Sequence, residues 1–431
     1  MKKKIVYVGL AADIVHEGHI NILKTASKLG YVIVGLLTDK AISSYKKLPY
    51  FDFNQRKIIL ENMKYVNEVI EQKTLDYVEN LKMVKPNYVV HGDDWKAGIQ
   101  KKTRDRVIKT IKKWGGKLIE PKYTKNISSS QIKTQISNLG ITPQNRLSKL
   151  RRLLNSKRIV RILETHNSLA GLIIENLSHI NKSNLIEFDG MWSSSLTDSL
   201  TRGKPDNQSV DYSTRILGLN DIMDVTTKPL IFDADNGGRL EHMSYLVKTL
   251  ERIGVSAMVI EDKIGEKQNS LFENQAKTKQ DNISNFCKKL KKAKNSKISE
   301  DFFIVARIES FILGKGLRDA LNRGEKYVNS GADAILIHSK EKNPTEIFSF
   351  SKAFRKIKPN IPLIAVPSTY SSVKEKELIK NGFQIVIYAN HMLRAAYPSM
   401  LNVGKNILKN GRSFEIEKKI TPIKDIIRLI R

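Results

Sequence analysis

At 431 residues the chain is longer than a single hydrophobic core usually supports, so two domains are expected. Its 74 Lys and Arg against 44 Asp and Glu give a formal charge of +30, which suits nucleic acid or anionic metabolites as partners. No basic run is interleaved with aromatics as a nucleic-acid platform requires, the single Cys287 excludes an internal disulfide, and no apolar run approaches the roughly 18 residues of a membrane span.

The start, Met1-Lys-Lys-Lys, runs into IVYVGL, too short for a secretory apolar region, and with the lone cysteine this points to a soluble, cytoplasmic protein. Ile5 to Gly9 reads as a buried strand and Ile20 to Leu29 as a helix stopped by Gly30. Strands follow at Tyr31 to Leu37, Tyr88 to His91 and Lys117 to Glu120, with helices at Gln55 to Asn62 and Gln100 to Trp114. This alternation predicts a Rossmann-like parallel sheet covered on both faces, with its ligand beyond the carboxyl ends of the strands. His16 and His19 lie there, sharing one face of a helix start beside free backbone amides, an arrangement suited to a triphosphate gathering charge under attack. A structural helix-start histidine with an incidental second one is the competing reading. A metal site fits less well, because no third ligand accompanies the pair. Asp94 reads equally as a nucleotide or acceptor contact and as a helix cap, and Lys46 alone is an ordinary surface lysine.

Leu139-Gly-Ile-Thr-Pro143 breaks the pattern, which sets domains at 1–138 and 147–431 with a linker at 139–146. The basic stretch Asn145 to Arg161 reads as a solvated helix face. Eight strand-like runs then recur with helical intervals, at Val160 to Leu163, Leu185 to Phe188, Leu230 to Phe232, Ala257 to Ile260, Phe303 to Ala306, Ala334 to Ile337, Leu363 to Val366 and Gln384 to Ile387. That count predicts a (β/α)8 barrel, whose chemistry sits at the carboxyl ends of its strands. Trp192 and Ser194, Asp233 and Asp235, Glu261, Arg307, His338, and Asn390 with His391 fall on that rim. Asp233 and Asp235 project to one side of a strand and converge with Glu261 on the next, a set suited to a hard divalent cation holding an anionic substrate. Helix capping is the alternative use of any one of these acids, and a buried structural role that of Arg307 or His338 taken singly.

Two family resemblances add to these readings. His16-Glu-Gly-His19 resembles the HxGH motif of the nucleotidyltransferase superfamily and Ile127-Ser-Ser-Ser130 its ISTT motif; His91 to Trp95, HGDDW, and Lys46 with Arg56 are similar to further elements of the cytidylyltransferase branch. The resemblance implies CTP as substrate with Mg2+, nucleotide contacts at Gly9, His16, His19, Lys46 and Asp94, and phosphate contacts at Ser128, Ser129 and Ser130. Leu10-Ala-Ala-Asp13 and Tyr123 depart from the family pattern and bear on the acceptor and on phosphate contacts.

Glu261 to Ser270, EDKIGEKQNS, resembles the EDKxxxKxNS signature of the phosphoenolpyruvate mutases in the isocitrate lyase superfamily. The segments Asp189 to Leu196, DADNG from Asp233, VARIESF from Val305 and ILIHSK from Ile335 are similar to other mutase segments. By this likeness Asp233, Asp235 and Glu261 hold Mg2+ directly or through water. Trp192, Ser194, Ser195, Leu196 and Lys267 surround the substrate, and Asn269, Ser270, Arg307, His338 and Asp206 serve the chemistry, Asp206 as nucleophile or orienting group. Ser195 stands where the family commonly has Gly, and Glu266 where many members have Pro. The resemblance implies interconversion of phosphoenolpyruvate and phosphonopyruvate, with a phosphonopyruvate hydrolase as the alternative that Asn269-Ser270 argues against. Together the halves resemble the fusion enzymes of fosfomycin-type pathways, which implies CMP transfer to 2-hydroxyethylphosphonate, with 2-aminoethylphosphonate as runner-up. The expected partners are these small molecules, with no nucleic acid and no membrane, and a homo-oligomer formed through the barrel. A basic nucleic-acid-binding protein with degenerate enzyme domains would instead show strongly salt-dependent DNA or RNA binding.

Overall fold

The computed structural model describes residues 4–96, 100–122, 141–181, 184–270 and 278–430. It divides into two units: Met1–Leu139 with Asn155–Lys157 and Ser178–Ile186, and Gly140–Leu154 with Arg158–Leu177 and Glu187–Arg431. Among the described residues no helix is long and apolar enough to cross a membrane.

The first unit is built on five parallel strands, β1 (Ile5–Leu10), β2 (Tyr31–Leu37), β3 (Glu68–Gln72), β4 (Tyr88–Val90) and β5 (Lys117–Ile119), in the order β3-β2-β1-β4-β5. Alternation along β1 serves two cores: Val6 and Val8 pack with Leu23, Ala26 and Leu60, while Tyr7 packs with Tyr77, Trp95 and Val107. The strand order reverses between β1 and β4, so a crevice opens at their carboxyl ends. The edge strand β3 escapes a search for apolar runs, because Glu68 and Glu71 are exposed on it.

The second unit is a closed barrel. Its strands are β6 (Val160–Glu164), β9 (Gly190–Ser193), β10 (Leu230–Asp233), β11 (Ala257–Glu261), β14 (Phe303–Ile308), β15 (Ala334–Ile337), β16 (Leu363–Ala365) and β17 (Ile385–Tyr388), each parallel to the next and β17 to β6. Two antiparallel or separate pairs lie outside it: β7 (Ser178–Asn181) with β8 (Asn184–Glu187), and β12 (Lys263–Gly265) with β13 (Thr278–Gln280).

The apolar run Leu185 to Phe188 is therefore not the second barrel strand. It falls largely on β8, and the barrel uses Gly-Met-Trp-Ser, β9, instead. Strand propensity favours the wrong segment here, because close packing demands glycine in the right one. A Cβ on Gly190 would lie 2.7 Å from the Pro229 carbonyl oxygen.

The helix Pro143–Ser156 likewise departs from the solvated face expected of it. Leu147, Leu150 and Leu153 are buried, and the buried Arg146 guanidinium donates to the carbonyls of Met223 (2.9 Å) and Lys228 (2.9 Å) and to Thr226 Oγ1 (3.1 Å). Residues 143–146, expected within a linker, thus open a helix with a buried apolar face. Burial, against a smaller opposing effect of Glu175, pushes the Arg146 pKa down to about 10.

Candidate active sites

In the first unit, β1 delivers the chain into a turn in which Ala12 adopts φ 47°, a strained conformation for a residue with a side chain. Arg56 staples this turn: its guanidinium donates to the carbonyls of Ala11 (2.6 Å) and Leu37 (2.9 Å) and pairs with Asp39 (2.6 Å). Arg56 is fully buried, so its work is structural, holding the ends of β1 and β2 together. The helix Glu17–Ser27 then starts with a capping box made of two histidines. The His16 Nδ1 accepts from the Gly18 amide (3.1 Å), and the His16 amide donates to His19 Nδ1 (3.3 Å). Each Nδ1 is an acceptor, so in the neutral rings the proton sits on Nε2, leaving two donors. Burial, with the nearby charges of His16 and Lys46, pushes the His19 pKa down to about 3, and burial lowers that of His16. His16, His19 and Lys46 are thus brought within electrostatic reach.

Across the crevice, Trp95 is buried and stacks on His91 with ring centroids 3.8 Å apart. Its indole Nε1 donates to Glu120 (2.7 Å), which also takes two hydrogen bonds from Arg104. Glu120 escaped the sequence reading, although it ends a strand beside the crevice. Asp94, half exposed in the 3-10 turn Asp93–Lys96, lies 3.8 Å from the His91 ring and caps none of the described α-helices. Gly9 lies in β1 with the Tyr77 ring 2.3 Å from where a Cβ would stand, so a close approach requires glycine there. Ser128, Ser129 and Ser130, with Tyr123, lie outside the described residues.

At the barrel mouth, Asp233 ends β10, Glu261 ends β11, and the Glu261 amide donates to the Asp235 carbonyl (2.7 Å). Asp235 sits just past its strand at φ 47°. The three acids line one cavity with Trp192, Ser194, Ser195, Leu196, Asp206, Lys267, Asn269, Ser270, Arg307 and His338, every barrel residue singled out from the sequence for binding or chemistry. Carboxylate oxygens suit a hard cation. Among the described residues, however, no three His, Cys, Asp or Glu side chains form a ready set of direct ligands. The Lys267 ammonium lies among them, paired with Asp206 and Asp235, and donates to Ser195 Oγ (2.8 Å), which in turn donates to Asp233 (3.0 Å).

Charge compensation explains the protonation states. Burial opposes ionisation of Asp233, yet Lys267, Arg307 and Arg215 outweigh it and hold its pKa low. Burial pushes Glu261 up to about 7 despite Lys263 and Arg307. Arg215 is buried and supports the cluster from below, donating to the Asp233 carbonyl (2.6 Å) and lying over the Phe232 ring.

The Ser270 side chain has no hydrogen-bonding capacity left for a substrate. Its hydroxyl donates to Glu309 (2.9 Å) and accepts from Lys263 (2.7 Å) and Arg307 (2.9 Å). Lys263 and Glu309 were missed, though each lies two residues from a chosen one, Glu261 and Arg307. Among the described residues, three polar atoms on the cavity wall are buried and without a partner, Trp192 Nε1, His338 Nδ1 and Asn390 Oδ1. Buried polar groups are rarely left unpaired, so these three are candidate contacts for a polar ligand. Asn390 is placed by Glu164, whose Oε2 caps the helix His391–Asn410 by accepting from the amides of Met392 (3.1 Å) and Leu393 (3.3 Å).

Fold and site together define a two-part enzyme: a nucleotidyltransferase-type sheet followed by a barrel whose mouth is built for a small anion. Known families agree. The profile of the phosphoenolpyruvate phosphomutase family matches residues 150–408, and that of the cytidylyltransferase-like family residues 7–135. A phosphoenolpyruvate phosphomutase of Tetrahymena pyriformis is 36% identical over 284 residues, 65% of this chain and 90% of that protein. A glycerol-3-phosphate cytidylyltransferase of Bacillus subtilis is 38% identical over 103 residues, 22% of this chain and 75% of that protein. Among solved structures, a phosphoenolpyruvate phosphomutase from Streptomyces platensis subsp. rosaceus superposes with a TM-score of 0.61 at 32% identity, covering 66% of this chain and 94% of that one. A phosphonopyruvate hydrolase complexed with oxalate and Mg2+ gives a TM-score of 0.59 at 32% identity, covering 67% and 95%. The chain belongs to the phosphoenolpyruvate phosphomutase family and carries a cytidylyltransferase-like domain ahead of the barrel.

Proposed function

We propose that the barrel interconverts phosphoenolpyruvate and 3-phosphonopyruvate, and that the first unit transfers CMP from CTP to a phosphonate with release of pyrophosphate. The observation that carries the barrel reading is the segment 266–270, which sets Lys267 and Asn269 over the acids while Ser270 locks it to Arg307. Asp233, Asp235 and Glu261 would hold Mg2+ directly or through water, and the ion would supply positive charge opposite an anionic substrate. Arg307 and the unpartnered Trp192 and Asn390 orient the three-carbon unit. Burial pushes the His338 pKa down to about 4, so its ring is neutral near pH 7 and donates to phosphoryl oxygens without surrendering charge. The exchange moves phosphorus between an enol oxygen and a carbon of one molecule and needs no general base. It does need water kept away, since the same intermediate would otherwise be hydrolysed. Asp206, held by Lys267 and Asn269, is placed to orient the moving group.

In the first unit, the Nε2 donors of His16 and His19 with Lys46 would stabilise the triphosphate, with Gly9 and Asp94 at the nucleotide, Ser128, Ser129 and Ser130 at its phosphates, and Mg2+ accompanying CTP. The preferred acceptor is 2-hydroxyethylphosphonate, with 2-aminoethylphosphonate second. Hydrolysis of phosphonopyruvate is the second barrel reading, favoured by the likeness to the hydrolase structure. The partners of this reading are small molecules, without nucleic acid. A homo-oligomer formed through the barrel is supported by the helix His391–Asn410, none of whose residues is buried and which exposes Tyr397, Met400 and Leu408. Phosphorus NMR of the purified protein tests both reactions. With Mg2+, phosphonopyruvate should give the phosphoenolpyruvate resonance, and CTP with 2-hydroxyethylphosphonate should give pyrophosphate and the mixed anhydride of the phosphonate with CMP. Inorganic phosphate alone in the first reaction, or no pyrophosphate with either phosphonate in the second, would overturn the corresponding half.

A further inference from the structure

The segment over the barrel mouth is tied down by a buried carboxylate that takes no part in the chemistry described above. Asp262, next to Glu261, is fully buried. Its Oδ1 accepts from the Glu309 amide (2.9 Å), and its Oδ2 accepts from Arg323 (3.1 Å), the Tyr327 hydroxyl (2.8 Å) and Gln280 Nε2 (3.0 Å). Gln280 ends β13, opposite Lys263 of β12, and its amide also donates to Ser310 Oγ (3.0 Å). On the same strand Thr278 Oγ1 lies 3.1 Å from the Glu266 carbonyl and 3.2 Å from Gln268 Oε1. A single side chain, Gln280, thus joins the strand that braces residues 266–268 to the buried Asp262 and to the rim at Ser310.

We propose that Gln280, backed by Asp262, is a positioning residue that decides whether the transferred phosphoryl group meets oxygen of the same molecule or water. The inference rests on the mutase reading. In the isomerisation of phosphonopyruvate the C–P bond breaks, its electron pair passes into the enolate, and the enolate oxygen bonds to phosphorus. In the competing hydrolysis the same C–P bond breaks, a water oxygen bonds to phosphorus, and a proton from that water ends on C3, giving pyruvate and inorganic phosphate. Bond cleavage is common to both, so the product ratio reports how well residues 266–270 exclude water. Gln280 is absent from the lining of the catalytic cavity, so its replacement deletes no group that lines it.

Gln280→Leu preserves much of the side-chain volume and removes both hydrogen bonds. Wild type and variant would be given phosphonopyruvate with Mg2+ and followed by phosphorus NMR. The phosphate-to-phosphoenolpyruvate ratio is expected to rise roughly tenfold in the variant, the scale of one lost hydrogen bond to a charged group. Asp262→Asn should shift the ratio in the same direction, and Gln280→Leu decides the matter should that variant not fold. An unchanged ratio, or loss of both products together, overturns the inference and leaves the mutase reading standing. Phosphate as the sole product of the wild type overturns the mutase reading itself.

Discussion

Asp235 combines a carboxylate at the barrel mouth with a backbone at φ 47°, a region that Asn tolerates well and Ala poorly. Asp235→Asn should therefore keep the fold, with a melting temperature close to that of wild type. Isomerisation should fall by roughly a hundredfold or more, the scale seen when a preorganised electrostatic contact is lost. Asp235→Ala should lose activity and stability together, and comparing the two variants by calorimetry and phosphorus NMR separates charge from conformation. Ser270 makes a different prediction. Because Lys263, Arg307 and Glu309 saturate its hydroxyl, Ser270→Ala leaves buried charged partners short of a hydrogen bond. The expected cost is about 1–3 kcal/mol of stability, measurable by urea titration. These residue roles were unequally legible: Asp233, Asp235 and Glu261 announce themselves by strand-end position, whereas the saturation of Ser270 depends on Lys263 and Glu309 arriving from two other segments of chain.

At the scale of elements, the turn Asp93–Lys96 and strand β5 are held together by Glu120. Hydrogen bonds from Arg104, against a smaller effect of partial burial and with further help from Trp95, hold the Glu120 pKa down to about 2 from an ordinary 4.5. A depressed carboxylate pKa stabilises the fold above the unfolded value and ceases to do so as pH falls through the folded one. The stability gap between wild type and Glu120→Gln should therefore be constant above pH 4.5 and narrow as pH falls from 4.5 towards about 2. Thermal melts across that range check the sign, and a gap that widened on acidification would contradict it. The elements that misled the sequence reading did so for physical reasons. β9 is short and opens on a glycine that must pass Pro229, while β3 is an exposed edge with no apolar run. The helix Pro143–Ser156 looked solvated because Arg146 is buried by capping carbonyls, a use of charge that composition does not reveal.

For the whole molecule, two families joined in one chain imply two separable chemistries. His19→Ala should abolish CMP transfer while phosphonopyruvate isomerisation stays within about twofold of wild type, since sites that share no partners behave additively. The broad architecture was legible because seven of the eight apolar runs are barrel strands and the helices alternate with them. The cavity wall was less so, since Trp192, His338 and Asn390 become conspicuous only when their buried atoms are found without partners. The central claim is that phosphorus passes from carbon to oxygen of one molecule beneath residues that keep water out. Its most direct test is to supply phosphonopyruvate and Mg2+ in water enriched in oxygen-18 and to read the isotope shift on phosphorus. Phosphoenolpyruvate with an unlabelled phosphoryl group is the predicted result, and inorganic phosphate carrying the heavy oxygen as the main product would contradict it.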